Sequence, residues 1–203
     1  MRTIVLLRHP QVANYADRVY NGSYDVGITA KGARQFLKIG RFLAENYKPD
    51  IIYSSDLIRA KAGAYFISRF TKAPVVFEKG LRERNMGVFE SKSWKQIVDL
   101  YPSEAKEYLN NPLNFKPKGA ESLIEQRQRV EKAFFSILST DKRNLAVVAH
   151  GGTNRIILSI VKGISLEKAL EIHQDYGCIN IIEQDKEKFF LIEENNTNIY
   201  ESF

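Results

Sequence analysis

The hydrophobic positions of this chain fall into short solid runs separated by stretches of helical periodicity. Thr3–Leu7, Asp50–Tyr53, Pro74–Phe77 and Leu145–Ala149 are apolar almost throughout and of strand length, the pattern of strands buried on both faces. Between them, residues 31–46 repeat Ala33, Phe36, Leu37, Gly40 and Leu43 at helical spacing, with Thr29 as the N-cap candidate. Residues 56–70 set Leu57, Ala60, Ala64 and Ile67 on one side, Glu121 to Leu138 turns Leu123, Val130, Phe134, Ile137 and Leu138 inward, and 151–162 reads as a further helix. The middle, 80–120, is less regular. Ser93 with Gln96 predicts a capping box opening a short helix through Tyr101, and Pro102 starts another that the Asn110–Asn111–Pro112 cluster ends. A short helix is expected near 166–173, carrying His173. Beyond it, Cys178–Ile182 and Phe189–Ile192 flank Gln184–Asp185–Lys186–Glu187 as a hairpin.

Apolar strands alternating with amphipathic helices predict an α/β fold: a three-layer α/β/α sandwich, with a mostly parallel central sheet and an antiparallel edge from the closing hairpin. No repeat, low-complexity tract or Pro/Gly/Ser linker divides the chain, so residues 1–203 read as a single domain.

Composition narrows the function classes. With 203 residues, 44% of them hydrophobic, the chain can bury roughly 70% of its unfolded surface and needs neither disulfide nor metal to stay folded. A single cysteine, Cys178, excludes an internal disulfide framework and any multi-cysteine metal site. The opening apolar run stops at Arg8, too soon for a secretory signal core, and no stretch approaches the roughly 18 apolar residues of a membrane span. The expectation is a soluble, cytoplasmic protein with no membrane partner. The net charge of +6 is spread along the chain among 24 acids. It reads as diffuse charge that attracts an anionic small molecule rather than a nucleic-acid arm, whose binding would be strongly salt-dependent.

Ligands of open α/β sheets sit outside the carboxyl ends of the strands. Those positions hold Arg8-His9, then Tyr53-Ser54-Ser55 with Arg59 one turn on, then His150-Gly151-Gly152, and the loop with Arg82, Glu83 and Arg84. Two of the three histidines thus fall at one sheet edge, each directly after a strand. Histidines that attack phosphorus or bind its oxygens, forked arginine donors and a carboxyl group for the leaving alcohol are what a phosphate monoester requires. Bland readings compete: Arg59 as a helix-surface residue, Glu83 paired to Arg82 or Arg84, and His173 as structural. A mononuclear metal site from His9, His150 and Glu83 is the chemical rival, though no metal-ligand spacing supports it and two arginines would repel a cation.

Leu7-Arg8-His9 after a strand resembles the Arg-His-Gly signature of the histidine phosphatase superfamily, which is phosphoglycerate mutase-like and includes α-ribazole phosphatases among its shorter members. Gly22-x-x-Asp25-x-x-Ile28-Thr29-x-x-Gly32-x-x-Gln35, Tyr53-Ser54-Ser55-Asp56-Leu57-x-Arg59-Ala60, Leu81-Arg82-Glu83-x-x-x-Gly87-x-Phe89-Glu90, Gly119-x-Glu121-Ser122-Leu123 and Val147-Val148-Ala149-His150-Gly151-Gly152 are similar to further family segments, in the same order. The resemblance implies a metal-independent phosphatase with no cofactor, acting on a small phosphorylated metabolite. It implies His9 as the nucleophile that becomes phosphohistidine and Glu83 as proton donor. Arg8, Arg59 and His150 grip the phosphoryl oxygens, with Asn14 and Gly151 as further phosphate contacts. A homodimer is the candidate assembly.

This sequence departs from the family pattern at several positions. Pro10 stands for the usual Gly and Val12 for the usual Thr. Asn14 lies six residues after Arg8 rather than seven, Phe89 replaces Trp, and Ser91 replaces Gly. A phosphoglycerate mutase-type phosphotransferase is the first alternative, but the compact stretch between the acid loop and the last His-bearing strand favours hydrolysis. Lys92, Lys95, Lys116 and Lys118 are candidates there for a second acidic group on the substrate. A binding module with a degenerate site, motivated by Pro10 and Val12, is the second alternative.

Overall fold

The computed structural model describes residues 1–198. Strands β1 (Arg2–Arg8), β2 (Ile51–Ser54), β3 (Val75–Phe77) and β4 (Asn144–Ala149) run parallel, while β5 (Ile179–Asp185) and β6 (Lys188–Asn196) are antiparallel, in the sheet order β3-β2-β4-β1-β5-β6. Helices α1 (Ala30–Asn46) and α2 (Ile58–Thr71) cover one face. Helices α5 (Leu123–Leu138), α6 (Gly151–Lys162) and α7 (Leu166–Ala169) cover the other. This is the predicted three-layer sandwich. No described helix is long and apolar enough to cross a membrane.

The solid apolar runs follow from having a core on each side. Along β1 the side chains alternate, so Val5 and Leu7 join Phe36, Ile39, Leu43, Ala60 and Ile67, whereas Ile4 and Leu6 join Val130, Phe134, Ile156 and Ile157. Strand β4 splits the same way, Ala146 and Val148 against Leu145 and Val147. Each large aliphatic chain buried here contributes about 1.5–3 kcal/mol, which pins the register of the central strands. Thr29 caps α1 by accepting from the Gly32 amide, and the Ser93–Gln96 capping box opens α3 (Trp94–Leu100). A second box, Ser122 with Glu125, starts α5 two residues later than the periodicity suggested.

Pro102 begins α4 (Pro102–Asn110), and 80–120 as a whole forms a small cap rather than a sheet layer. Its own apolar cluster is Met86, Phe89, Ile97 and Ala105, with Tyr20, Trp94, Tyr101 and Tyr108 packed around them.

Two expectations at the C-terminal end need correction. Helix α7 ends at Ala169, so His173 is not helical. It is exposed, with Nε2 3.1 Å from Asp175 Oδ1. Leu166, Ala169 and Ile172 are all buried, which reproduced helical spacing although the chain leaves the helix after one turn. The hairpin strands also run further than their apolar cores. Glu183 to Asp185 remain paired to β6, and only Lys186 and Glu187 turn, Lys186 at φ 55°. An edge hairpin with one wet face accepts polar residues in its ladder.

Candidate active site

The site is assembled where β1 and β4 end. His9 is fixed on both sides of its backbone: its amide donates to Ala149 O (3.0 Å), and its carbonyl accepts from the Gly177 amide (3.1 Å). The ring is nearly buried, and Nδ1 lies 2.8 Å from the Pro10 carbonyl. A carbonyl only accepts, so Nδ1 carries the proton and Nε2 keeps its lone pair. Proline at position 10 therefore loses nothing the ring uses, since the contact is made by its carbonyl.

His150 continues β4 into the N-cap position of α6, and its ring centroid lies 5.0 Å from that of His9 at 57°. Its Nε2 is 2.8 Å from Ser55 Oγ, while Nδ1 is buried with no protein partner.

Arg59 is 1% exposed, far from the surface position that helical periodicity allowed. Its Nη1 donates to Tyr24 O (2.8 Å) and its Nη2 to Gly22 O (2.6 Å), which fixes the guanidinium through the loop before α1. Arg8 donates from Nη1 to Gln174 O (2.5 Å) and stacks 3.9 Å from the Tyr176 ring centroid. Tyr176 also lies 5.5 Å from the His9 ring, so the 174–178 loop holds both halves of the Arg8-His9 pair.

Glu83 is equally constrained. Oε2 accepts from the Gly152 amide (2.8 Å), and Oε1 accepts from the Arg84 amide (2.9 Å) and Gln126 Nε2 (3.0 Å). Arg82 is not its partner, because it forms a two-pronged pair with Asp56 instead. A Cβ at Gly152 would stand 2.5 Å from Glu83 Oε1, so a larger residue there would push the carboxylate from its present place.

Arg8, His9, Arg59 and Glu83 open onto one cavity of about 280 Å³, lined also by Gly22, Gln126 and Gly152 and by Tyr20, Met86 and Tyr108 of the cap and its neighbours, while His150 lies fully buried behind His9 and is not among the lining residues. Arg84, Arg155 and Tyr176 complete its polar wall. The cavity thus gathers cations and forked donors around an imidazole whose outer nitrogen is free, a geometry suited to an oxyanion.

The sequence profile of the histidine phosphatase superfamily (branch 1) matches residues 4–197. The chain belongs to that superfamily.

As a histidine phosphatase the chain is similar to a Hydrogenobacter thermophilus protein assigned as phosphoserine phosphatase 2, 31% identical over 95% of this chain and 94% of the relative. It is also similar to a metal-independent phosphoserine phosphatase of Arabidopsis thaliana, 29% identical over 93% and 79%. The solved α-ribazole phosphatase of Shigella flexneri shares the fold at TM-score 0.89, with 23% identity and 96% of each chain covered.

Of the residues singled out from the sequence of this histidine phosphatase, Arg8, His9, Arg59 and Glu83 line the cavity, and His150 packs directly against His9. Asn14 is not among the lining residues. Its amide exchanges two hydrogen bonds with Asn21 (2.7 and 3.1 Å), and it is Asn21 that faces the cavity. Gly151 opens α6 beside Arg8, where a Cβ would make only ordinary contact at 3.5 Å. None of Lys92, Lys95, Lys116 and Lys118 lines the cavity, and Lys116 pairs with Glu125 at 2.7 Å. Val12 is fully buried, bridged to Ile28, and is not among the lining residues.

Among the described residues no three His, Cys, Asp or Glu side chains are grouped to hold a metal ion, and the Glu83 oxygens are already taken by three donors.

The structure also adds Gln126, Arg155 and Tyr176, which sequence reasoning missed. Arg155 follows Gly151 at i+4, a helical spacing that could have placed it at the same mouth. Nothing local marked Tyr176.

Burial, then the charges of Arg59 and Arg8, hold His9 well below the usual imidazole range, against the pull of the Pro10 carbonyl. Burial, Arg59, His9 and Arg8 do the same to His150. Both rings are neutral in the native state at a pH where the unfolded chain protonates them, so the unfolded state gains protons first as pH falls. Stability is then complete above an imidazole's ordinary value and declines below it. We expect the urea midpoint to drop between about pH 7.5 and 5.5, and added inorganic phosphate to recover part of the loss. A midpoint that stays level across that interval would show that the rings titrate normally.

Proposed function

We propose that this chain hydrolyses a small phosphate monoester without metal, through a phosphohistidine on His9. The observation that carries the reading is the His9 ring, held by Nδ1 on the Pro10 carbonyl with Nε2 free, on the wall of a cavity shared with Arg8, Arg59 and Glu83.

In the first half-reaction Nε2 bonds to phosphorus as the phosphorus–oxygen bond to the alcohol breaks. Glu83 gives its proton to the departing oxygen. The phosphorylated ring is cationic, and the Nδ1–H bond to Pro10 stabilises it. In the second half, water attacks phosphorus, the nitrogen–phosphorus bond breaks, and the Glu83 carboxylate takes the water's proton. Arg8, Arg59 and His150 hold the non-bridging oxygens throughout, supplying the electrostatic stabilisation on which phosphoryl transfer chiefly depends. The guanidiniums do not move to do so, because the carbonyls of Gln174, Gly22 and Tyr24 already orient them.

Relatives named for phosphoserine make it the first ester to try. The test is phosphate release from a panel of metabolite esters with EDTA present throughout. Release that is unaffected by EDTA supports the proposal. Release abolished by the chelator and restored by zinc would replace it with metal-assisted hydrolysis.

A further inference from the structure

We infer that Gln126 is a positioning residue for the proton donor: it confines the transferable proton of Glu83 to Oε2 and stabilises the carboxylate that forms as that proton leaves. The inference rests on the phosphatase reading and concerns how its leaving-group step is driven.

Three donors hold Glu83. Two are the main-chain amides of Arg84 and Gly152, and Gln126 is the one side chain among the described residues that donates to it. Oε1 accepts from both the Arg84 amide (2.9 Å) and Gln126 Nε2 (3.0 Å), so its two lone pairs are taken. Oε2 accepts only from the Gly152 amide (2.8 Å). The protonated carboxyl group therefore carries its hydrogen on Oε2, the oxygen with a lone-pair position to spare. As the Oε2–H bond breaks and the proton passes to the departing alcohol oxygen, negative charge spreads to Oε1. The bond from Gln126 then changes from one between neutral groups to one onto an anion, roughly twice as strong. An interaction that strengthens on the way to the transition state lowers the barrier rather than merely holding the ground state.

The orientation of the Gln126 amide is forced by its surroundings. Thr153 Oγ1 donates its own proton to Arg82 O (2.9 Å) and so faces Gln126 as an acceptor, 3.4 Å from Nε2. With Glu83 Oε1 on the same nitrogen, both neighbours require the N–H end. The Ser122–Glu125 capping box fixes the turn that carries Gln126, whose backbone amide donates to Ser122 O (3.0 Å). The residue is fully buried on the face of α5 that also buries Leu123 and Val130, where an apolar side chain is the ordinary occupant. It keeps an amide there although no described residue donates to its Oε1. A buried acceptor without a partner costs stability, so packing does not account for glutamine at 126. The donor it presents to Glu83 does.

The experiment compares the unaltered protein with Gln126→Met, which matches glutamine in length and has no donor. Single-turnover phosphorylation is timed for the fastest alkyl ester of the metabolite panel and for 4-nitrophenyl phosphate. We expect the alkyl rate to fall about tenfold or more, as for loss of a hydrogen bond to a charged group, and the nitrophenyl rate to fall at least about fivefold less. The thermal midpoint should hold or rise, because an unpaired polar atom leaves the core. In the Glu83→Gln background, where no proton is transferred, adding Gln126→Met should cost the alkyl ester less than about twofold, a non-additivity that a packing role would not produce. Gln126→Asn, which keeps an amide but withdraws it by one methylene, should show the same leaving-group contrast, and it serves if the Met variant does not melt cooperatively. Equal losses on the two esters, no loss on either, or a further loss of about tenfold on top of Glu83→Gln overturns the inference and leaves the phosphatase reading standing. No phosphate release from any ester by the unaltered protein overturns the phosphatase reading, and the inference with it.

Discussion

His9→Ala is expected to reduce phosphate release by about 10⁴-fold or more, since removing a covalent nucleophile leaves only binding and electrostatic stabilisation. The ring is the group whose outer nitrogen faces the cavity, and its neighbour cannot substitute. His150 turns Nε2 toward Ser55 Oγ at 2.8 Å, and its own backbone sits at the end of a different strand. The substitution removes a nearly buried ring, so folding needs a separate check. A cooperative melt and retained inorganic phosphate binding would locate the defect in chemistry. The decisive measurement is an alkaline rapid quench with radiolabelled ester. Label should appear covalently on the unaltered protein and be absent from the variant. A variant that keeps appreciable turnover, or an unaltered protein that never takes up label while turning over, would remove the phosphohistidine from the scheme.

The second large effect is expected at Glu83, where the leaving group separates catalysis from damage. In Glu83→Gln the single side-chain oxygen can keep either the Gly152 amide or the Arg84 amide with Gln126, which donate to different carboxylate oxygens, and no proton is available for the departing oxygen. For an alkyl ester, whose alkoxide leaves poorly, we expect a loss of about 10²–10⁴-fold. For a nitrophenyl ester, whose phenolate leaves without help, the loss of the phosphorylation step should be far smaller. Single-turnover rates for both esters give this contrast directly. An equal loss on both would mean that the carboxyl group organises the cavity and does not protonate the alcohol.

Much of this architecture was legible along the chain because its determinants are local. The runs at Thr3–Leu7 and Leu145–Ala149 are solidly apolar since each strand faces a core on both sides, and Thr29 and Ser93 cap their helices with atoms three residues away. Where local pattern misled, a longer-range cause is identifiable. The burial of Ile172 continued a helical spacing past the end of α7, and the water-facing side of the closing hairpin hid polar residues that pair in the sheet. Asn14 stood near the position a phosphate contact would hold, but its reach is spent on Asn21.

The sequence by itself determined the layer architecture, the family, and the strand ends at which Arg8, His9, Arg59, Glu83 and His150 would collect, because periodicity and motif are written in consecutive residues. Only the tertiary structure decided which nitrogen of His9 is free and which donors hold Glu83. It alone brought Arg155 and Tyr176 from the far end of the chain to the same cavity, and showed that the cap lysines stay outside it. Those are properties of distance between segments far apart in sequence, and they exist only once packing of the two cores has fixed where each loop ends.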